Sequence, residues 1–377
     1  MIDVDVLIVG GGPSGSALGF LLQKNGISTC IVEKKTFPRA KLCGGLLTQK
    51  TIDLLHGIFG DIKLPYEDIT SDVRLFLGND LISSVVCKSK FYLVDRLSFD
   101  FHLIQKYREI SGLLFENSKL TEIDLSGKTA KLNNGSTIRF KIIAGADGAN
   151  SQIRKFIDKK FRPNVLCLES SVKSDHMTSG INIHLSVDQY GYGWCFSKGD
   201  HYSIGIGCMI KKNKKIKESF LSFLNQQNKT AGETDVKGAV VPIGIFVKKP
   251  CNDSVILVGD AAGFVDPITG EGIYFALLSA KYAYEAIKES FINKTALSKN
   301  YCKKIKWIQD KIKDANLFNK MYFNDYIKSF LVKLVTGRKT MIRYICDHII
   351  SDYHISYTGF PFHYLKMRGK IKKNYFS

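Results

Sequence analysis

The sequence predicts an α/β protein, in which a Rossmann-like nucleotide-binding domain carries an inserted antiparallel β-sheet domain and a helical C-terminal region. Three observations support this fold class. A glycine-rich turn separates two apolar runs near the N-terminus, apolar and polar residues alternate through residues 72–95 and 165–245, and apolar residues repeat at helical spacing after about residue 297. With 377 residues, 45% of them hydrophobic, the chain can bury a sizeable core.

The N-terminal turn has the pattern of a dinucleotide site. The runs VDVLIV and ISTCIVEK predict two strands, and the segment between them predicts a turn and a helix. Gly10, Gly12 and Gly15 form GxGxxG, in which the glycines allow a tight turn, close approach of a pyrophosphate and close helix packing. Ser14 is a further candidate contact. Glu33 ends the second strand, where its carboxylate can bind an adenosine ribose and repel a 2′-phosphate, so FAD or NAD is favoured over NADP.

Two later motifs resemble those of a flavoprotein family. The stretches AGADGANSQIR, which contains Asp147, and VILVGDAAGFVDPITGEGIYFALLSA each follow or contain a β run. Together with GxGxxG they are similar to the motifs of the flavoproteins that include aromatic hydroxylases, halogenases and geranylgeranyl reductases. The resemblance implies FAD as the cofactor, with Asp260 on its ribityl chain. It also implies a loop through Gly270 and a helix N-terminus at Gly272 and Ile273 that stabilises negative charge on reduced flavin.

The resemblance assigns two further contacts. Arg96 in LVDRLSFDFHL matches the arginine that such proteins place near the diphosphate or the flavin, the alternative being a surface arginine. The segment KLTEIDLSGKTAKLNNGSTIRFKIIAGAD predicts a β-meander with a turn at NNGS. In the family this meander covers the adenine, and the backbone of Leu120 matches the residue that touches it, although Leu120 could equally belong to the core.

Two stretches resemble geranylgeranyl reductases in particular. Those proteins carry a Cys-Gly-Gly, present here at Cys43, Gly44 and Gly45, and a Tyr-Gly-Trp-x-Phe stretch followed by Lys-Gly-Asp and Gly-x-Gly, present here as YGWCFSKGDHYSIGIG. The resemblance covers roughly residues 4–290. Ser197 stands where the relatives usually have proline, which leaves the local loop shape and the substrate open.

Cys43 and Trp194 are the candidate catalytic residues. Gly44 and Gly45 permit a backbone path close to a flat ring, which would place Cys43 beside the isoalloxazine. Three roles are open for Cys43: a proton donor or thiolate beside reduced flavin, a packing residue, or one end of a redox pair with Cys195. Trp194 and its aromatic neighbours could stabilise cationic character on a substrate carbon.

The alternating segments predict a substrate sheet that two crossings of the chain insert into the flavin domain. The predicted boundaries are a FAD-binding domain at 1–71, 96–164 and 246–296, a substrate domain at 72–95 and 165–245, and a helical C-terminal region at 297–377.

The C-terminal region predicts helices with apolar stripes. The first stripe consists of Ile305, Ile308, Ile312, Ala315, Phe318 and Tyr322. A second run, YIKSFLVKLV, ends at Gly337, a plausible C-cap, and lysines fill the other faces. Two interpretations are open: ordinary helices packed on the core, or basic amphipathic helices lying on an anionic membrane.

Composition limits the partners. The chain has 54 Lys+Arg against 35 Asp+Glu, a formal charge of +19, which favours anionic partners or simply reflects a lysine-rich surface; no nucleic-acid module accompanies it. Nine scattered cysteines without a CxxC pair predict neither a disulfide framework nor a metal site. With no signal peptide and no apolar run of about 18 residues, we expect a cytoplasmic protein, with peripheral contact to an anionic membrane as an open alternative.

These observations predict a FAD-dependent reductase that saturates carbon–carbon double bonds of an isoprenoid lipid or prenyl chain. The alternatives are a flavin monooxygenase or epoxidase on a lipophilic small molecule, and an electron carrier to a quinone. A halogenase is less favoured because the Trp-x-Trp-x-Ile-Pro stretch of the halogenase relatives is missing. No second GxGxxG with a ribose acid follows residue 150, so electrons are expected from briefly docked NAD(P)H, a ferredoxin-like protein or another reductase.

Overall fold

The computed structural model describes residues 1–173, 179–188, 191–227, 236–322, 338–350 and 356–359. Within these ranges the chain forms a seven-stranded and an eight-stranded β-sheet.

The helices and strands follow one another in the order that the fold class predicts. The strands are β1 (Ile2–Val9), β2 (Thr29–Val32), β3 (Leu46–Thr48), β4 (Tyr66–Leu77), β5 (Asp80–Val94), β6 (Leu113–Phe115), β7 (Leu120–Asp124), β8 (Thr129–Leu132), β9 (Thr137–Gly145), β10 (Val165–Lys173), β11 (Ile181–Leu185), β12 (Gly191–Lys198), β13 (His201–Met209), β14 (Lys237–Val241) and β15 (Val255–Leu257). The helices are α1 (Pro13–Lys24), α2 (Gln49–Phe59), α3 (Arg96–Glu109), α4 (Ile216–Gln226), α5 (Ile273–Asn293), α6 (Leu297–Tyr322) and α7 (Lys339–Ile345).

The first sheet is the predicted nucleotide-binding sheet. Its order is β6-β2-β1-β9-β8-β7, with β15 also on β9, and β6, β2, β1, β9 and β15 run parallel. The last four residues of β1 and all of β2 are buried, as expected for strands covered on both faces. The predicted strand, turn, helix and strand at the N-terminus are confirmed, and β7, β8 and β9 form the predicted meander.

The second sheet has the order β14-β10-β13-β12-β11-β4-β5-β3. The prediction that it is antiparallel is wrong at one junction, because β11 and β4 pair in parallel, Ile181 beside Val73. These two strands come from separate insertions and no hairpin joins them, so no tight turn fixes their relative direction. The sheet also includes β3 and the start of β4, which precede residue 72; the domain boundaries themselves remain predictions.

The two faces of the second sheet have different surroundings. Trp194 and Phe196 of β12 point to the face that meets the flavin domain, whereas Cys195 between them packs with Ile204 of β13 and with Phe220 of α4 on the other face. Side chains alternate along a strand, so neighbours in sequence end on opposite faces. The suggested redox pair of Cys43 with Cys195 is therefore wrong.

The first C-terminal helix, α6, packs on the flavin domain. Ile305, Ile308, Ile312 and Ala315 are fully buried, and the hydroxyl of Tyr301 donates a hydrogen bond of 2.8 Å to the carbonyl of Leu257. For this helix the interpretation as an ordinary core helix is the one that holds. The second apolar run and Gly337 lie outside the described residues. In the described part of the chain, no helix has both the length and the hydrophobicity to span a bilayer.

Candidate active site

A cavity of about 650 Å³ lies where the carboxyl ends of β1, β2 and β9 meet the second sheet. Open α/β sheets bind nucleotides at this edge, and the volume is that of an ordinary ligand site. The cavity is lined by nearly all of the predicted site residues: Gly10, Gly12, Ser14, Glu33, Cys43, Gly44, Gly45, Arg96, Leu120, Asp147, Trp194, Asp260, Gly270, Gly272 and Ile273. The exception is Gly15, which does not line the cavity and lies against the carbonyl oxygen of Gly10.

The glycine turn is shaped by backbone contacts. Gly10 has φ +102°, and a Cβ there would lie 2.4 Å from the carbonyl oxygen of Ala146. At Gly15 a Cβ would lie 1.9 Å from the carbonyl oxygen of Gly10, so α1 can approach β1 only without a side chain. Helix α1 begins at Pro13 with no side chain capping its first turn, and such an N-terminus binds phosphate.

A buried chain of alternating charges runs along the cavity wall. Glu33 accepts the backbone N–H of Gly11 at 3.0 Å and pairs with Arg39 at 3.3 Å; Arg39 reaches Asp100 at 3.2 Å. Asp100 also accepts two hydrogen bonds from Arg96, at 2.7 and 2.8 Å. The four charged side chains are at most 10% exposed, so we call this the charge chain and conclude that Arg96 is not a surface arginine.

The charge chain ends at Cys43. Burial works against the charged form of Arg96, but the neighbouring Asp100 outweighs it and raises the pKa of the guanidinium, which stays positive at any working pH. The same guanidinium faces the thiol of Cys43, whose sulfur accepts the backbone N–H of Gly45 at 3.4 Å. A permanent positive charge therefore lies beside the candidate catalytic cysteine.

The Cys-Gly-Gly segment lies directly on strand β12. A Cβ on Gly44 would be 2.9 Å from the Phe196 ring and 3.2 Å from Nε1 of Trp194. Gly45 has φ +74°, and its Cβ would be 2.8 Å from Nζ of Lys198. The two glycines thus let the backbone touch the inward-facing side chains of the second sheet, a contact that spacing in the sequence did not predict.

The Gly-x-Gly of β13 supports the tryptophan. A Cβ on Gly205 would lie 2.2 Å from the Trp194 ring, so the indole rests on bare backbone. Trp194 is 6% exposed, and its Nε1 has no hydrogen-bond partner among the described residues. Tyr192 lies beside it at 6.1 Å between ring centroids and donates to the carbonyl of Thr269 at 3.1 Å. Both rings are therefore held by contacts with the backbone.

At the far wall of the cavity, Oδ2 of Asp147 accepts the backbone N–H of Gln152 at 2.7 Å, while Oδ1 is buried with no partner in the described ranges. Burial raises the pKa of Asp147. Asp260 lies in a short turn after β15, and α5 begins at Ile273 with its N-terminus on the cavity. FAD fits this site, which offers a glycine turn without side chains, the N-termini of α1 and α5, and the unpaired Oδ1 of Asp147.

The sequence did not single out four charged residues on or next to the cavity wall. Arg39 lines the cavity, and Asp100, Lys198 and Glu169 lie next to residues that line it. Asp100 lies four residues after Arg96, a spacing that pairs side chains on a helix. Glu169 and Lys198 are charged residues at inward positions of predicted strands, which is itself a signal because such positions are normally apolar.

The fold and the site define a FAD-dependent oxidoreductase. Residues 3–60 match the family described as FAD binding domain. Geranylgeranyl diphosphate reductase from Synechocystis sp. is 30% identical over 311 residues, which cover 75% of this chain and 74% of that protein. Digeranylgeranylglycerophospholipid reductase 2 from Methanosphaera stadtmanae is 28% identical over 323 residues, which cover 79% of this chain and 82% of that protein. A geranylgeranyl bacteriochlorophyll reductase-like structure from Thermoplasma acidophilum has the same fold, with a TM-score of 0.74 and 23% identity over 99% of this chain and 98% of that one. The chain belongs to the geranylgeranyl reductase family.

Proposed function

We propose that this protein saturates carbon–carbon double bonds in the prenyl chain of an isoprenoid lipid. The observation that carries the proposal is that the cavity lined by Cys43 and Trp194 is also lined by apolar and aromatic side chains that pack with Trp194 on the second sheet. These are Leu42, Ile183, Tyr192, Val241, Ile243 and Ile350. Such a lining suits a long hydrocarbon chain.

The similar proteins support the same substrate class. The name of the relative from Synechocystis sp. specifies geranylgeranyl diphosphate, and that of the relative from Methanosphaera stadtmanae specifies digeranylgeranylglycerophospholipid. The two substrates differ in their polar groups and share the geranylgeranyl chain. The geranylgeranyl chain is the part that the apolar lining of the cavity would bind.

The residues of the cavity divide the binding of FAD among them. We assign the diphosphate to the glycine turn and the α1 N-terminus, the adenosine ribose to Glu33, the adenine to the backbone of Leu120, and the ribityl chain to Asp260. The N-terminus of α5 at Ile273 would face the pyrimidine edge, where its dipole favours negative charge. When bound and reduced, FAD supplies a hydride.

An isolated alkene has no carbonyl to accept negative charge, so the chain must supply a proton and stabilise cationic character at the tertiary carbon. Trp194, Tyr192 and Phe196 offer aromatic surface next to Cys43, and a cation over an aromatic face gains about 0.5–2 kcal/mol. The contact of Gly44 with two of these rings keeps them in place.

The test is anaerobic reduction of a geranylgeranyl lipid by the dithionite-reduced, FAD-loaded protein. We expect the flavin to reoxidise and the product to gain two hydrogens per bond in mass spectrometry. Incorporation of oxygen on admitting air, with no gain of hydrogen, would instead identify a monooxygenase. Flavin reoxidation by a quinone, with the lipid unchanged, would identify an electron carrier.

The electron donor is a separate proposal: NAD(P)H docked transiently, or a ferredoxin-like protein. The glycines of IGIGC lie inside strand β13 rather than at a helix N-terminus, so they do not form a nicotinamide site. The rate at which NADH, NADPH or reduced ferredoxin bleaches the bound flavin without oxygen distinguishes the donors.

We also propose peripheral contact with anionic lipid, supported by the formal charge of +19. Each lysine near such a surface contributes about 1 kcal/mol and is screened within a Debye length of roughly 10 Å at 0.1 M salt. Binding to vesicles containing anionic phospholipid is expected to fall steeply as salt rises. Equal binding to neutral and anionic vesicles would contradict the proposal.

A further inference from the structure

A largely buried ion pair joins α2 to the loop that leads into α5. Nζ of Lys50 and Oε2 of Glu271 are 2.8 Å apart, and the two side chains are 10% and 9% exposed. Glu271 stands between Gly270 and Gly272, directly before the N-terminus of α5, and all three residues line the cavity. Lys50 lies in the first turn of α2. The ion pair therefore connects the wall of the cavity to the helix behind it.

Both carboxylate oxygens of Glu271 have partners. Oε1 accepts hydrogen bonds from the hydroxyl of Thr48 at 2.9 Å and from that of Thr51 at 3.3 Å, while Oε2 faces Lys50. Thr48 is the N-cap residue of α2, yet its side chain does not cap that helix, because its hydroxyl is directed to Glu271. The N-terminus of a helix also favours a nearby negative charge. The start of α2 thus holds a carboxylate directly before the start of α5.

The ammonium group of Lys50 is fixed by further contacts. Nζ donates a hydrogen bond to the carbonyl of Ile350, another residue of the cavity lining. It also lies 5.1 Å from the ring centroid of Tyr274, in the first turn of α5. These contacts keep the positive charge beside the first turn of α5, next to the carboxylate that it compensates.

The position of the ion pair has an electrostatic consequence for a flavin in the cavity. When FAD takes up two electrons and one proton, a negative charge remains on the pyrimidine part of its ring system, the part that the N-terminus of α5 would face. A carboxylate directly before α5 would repel that charge and oppose the helix dipole. The ammonium group of Lys50 compensates the carboxylate, so that the dipole can still favour the reduced form.

We propose that Glu271 and Lys50 set the reduction potential of the bound flavin. Glu271 opposes reduction through its charge, and Lys50 is a positioning residue that favours reduction by compensating Glu271. This role rests on the placement of FAD given under the proposed function, and it requires no lipid substrate.

The test measures the reduction potential of the FAD-loaded protein without oxygen, by equilibrating the flavin with a reference dye of known potential. Glu271→Gln leaves the charge of Lys50 uncompensated and should raise the potential. Lys50→Met leaves the charge of Glu271 uncompensated and should lower it. Each change should alter the ratio of reduced to oxidised flavin at a fixed potential roughly tenfold, which is about 30 mV for two electrons. The double variant carries neither charge, so its potential should return towards that of the wild type.

Two further variants separate the effect of charge from that of structure. Lys50→Arg keeps the positive charge and should keep the potential close to that of the wild type. Glu109→Gln removes a carboxylate from an exposed ion pair with Lys106 on α3 and should leave the potential unchanged.

A second carboxyl near the ion pair does not explain the expected shifts. Asp266 lies at the base of the same loop, where its backbone N–H donates to the carbonyl of Glu271 at 3.1 Å. Its side chain accepts the backbone N–H groups of Ile268 and Thr269 at 2.8 and 2.9 Å. Asp266 is retained in every variant, so its charge cancels in the comparison.

Each single variant has its own expected sign, so either one that binds FAD is sufficient for the test. An unchanged potential, or a shift of the opposite sign, would overturn the proposal. Because the measurement contains no lipid, its outcome is separate from that of the proposed function. Saturation of a prenyl chain with unchanged potentials would overturn the role of the ion pair alone. The expected shifts in a protein that saturates no prenyl chain would support the ion pair and contradict the proposed function.

Discussion

Gly15→Ala is expected to purify with little FAD. A Cβ at this position would lie 1.9 Å from the carbonyl oxygen of Gly10 and 3.3 Å from the Cβ of Ala146. The first of these is backbone and cannot rotate away, so the N-terminus of α1 must move off β1. That movement separates the glycine turn from the helix N-terminus that would bind the diphosphate. Overpacking of this kind costs about 1–3 kcal/mol. If this cost applies to the FAD-bound form only, Kd rises by a factor of about 5 to 150.

The measurement is the ratio of flavin to protein after purification, followed by titration of the apoprotein with FAD. Gly57→Ala is the matched control, because Gly57 is exposed within α2 and its Cβ would meet no heavy atom within 4 Å. That change should retain full flavin and stabilise the helix by about 0.5–1 kcal/mol. Wild-type affinity in a folded Gly15→Ala protein would show that the turn does not bind FAD as proposed.

The nucleotide-binding half of the fold could be predicted because its signals are local. The GxGxxG spacing fixes the turn between β1 and α1, and Glu33 follows from the length of the next strand. The meander follows from alternation and the NNGS turn. Each of these patterns spans fewer than about 30 residues, and within such a length the backbone conformation follows from the sequence with few competing solutions.

The substrate side of the cavity could be predicted only in part, because its contacts join distant segments. Nothing near Gly44 in the sequence reveals that its neighbour is Phe196, since that contact depends on how the two sheets meet. For Cys195 the sequence suggested a contact that the fold does not form. Its nearness to Trp194 in sequence suggested a partner for Cys43, but alternation along β12 directs it to α4.

The charge chain is a further contact that only the fold reveals, and Asp100 is its centre. The carboxylate is fully buried and accepts from both Arg39 and Arg96, so it compensates two buried positive charges. Asp100→Asn keeps the shape and removes the negative charge. Removing one partner of a buried ion pair leaves the other charge without compensation, at a cost of about 3–5 kcal/mol, so we expect a loss of stability of this size.

Urea unfolding of the apoprotein measures this loss as a fall in midpoint at constant slope, and Glu122→Gln provides the control because Glu122 pairs with Lys131 in solvent. Since Glu33 and Cys43 lie at the two ends of the charge chain, the same change should weaken FAD binding in the fraction that folds. A midpoint as high as that of the control would mean that water or other neighbouring groups already compensate the charges of Arg39 and Arg96. In that case the charge chain would not be what holds Arg96 against Cys43. The position of the Cys-Gly-Gly segment would then depend only on the contacts of Gly44 and Gly45 with β12.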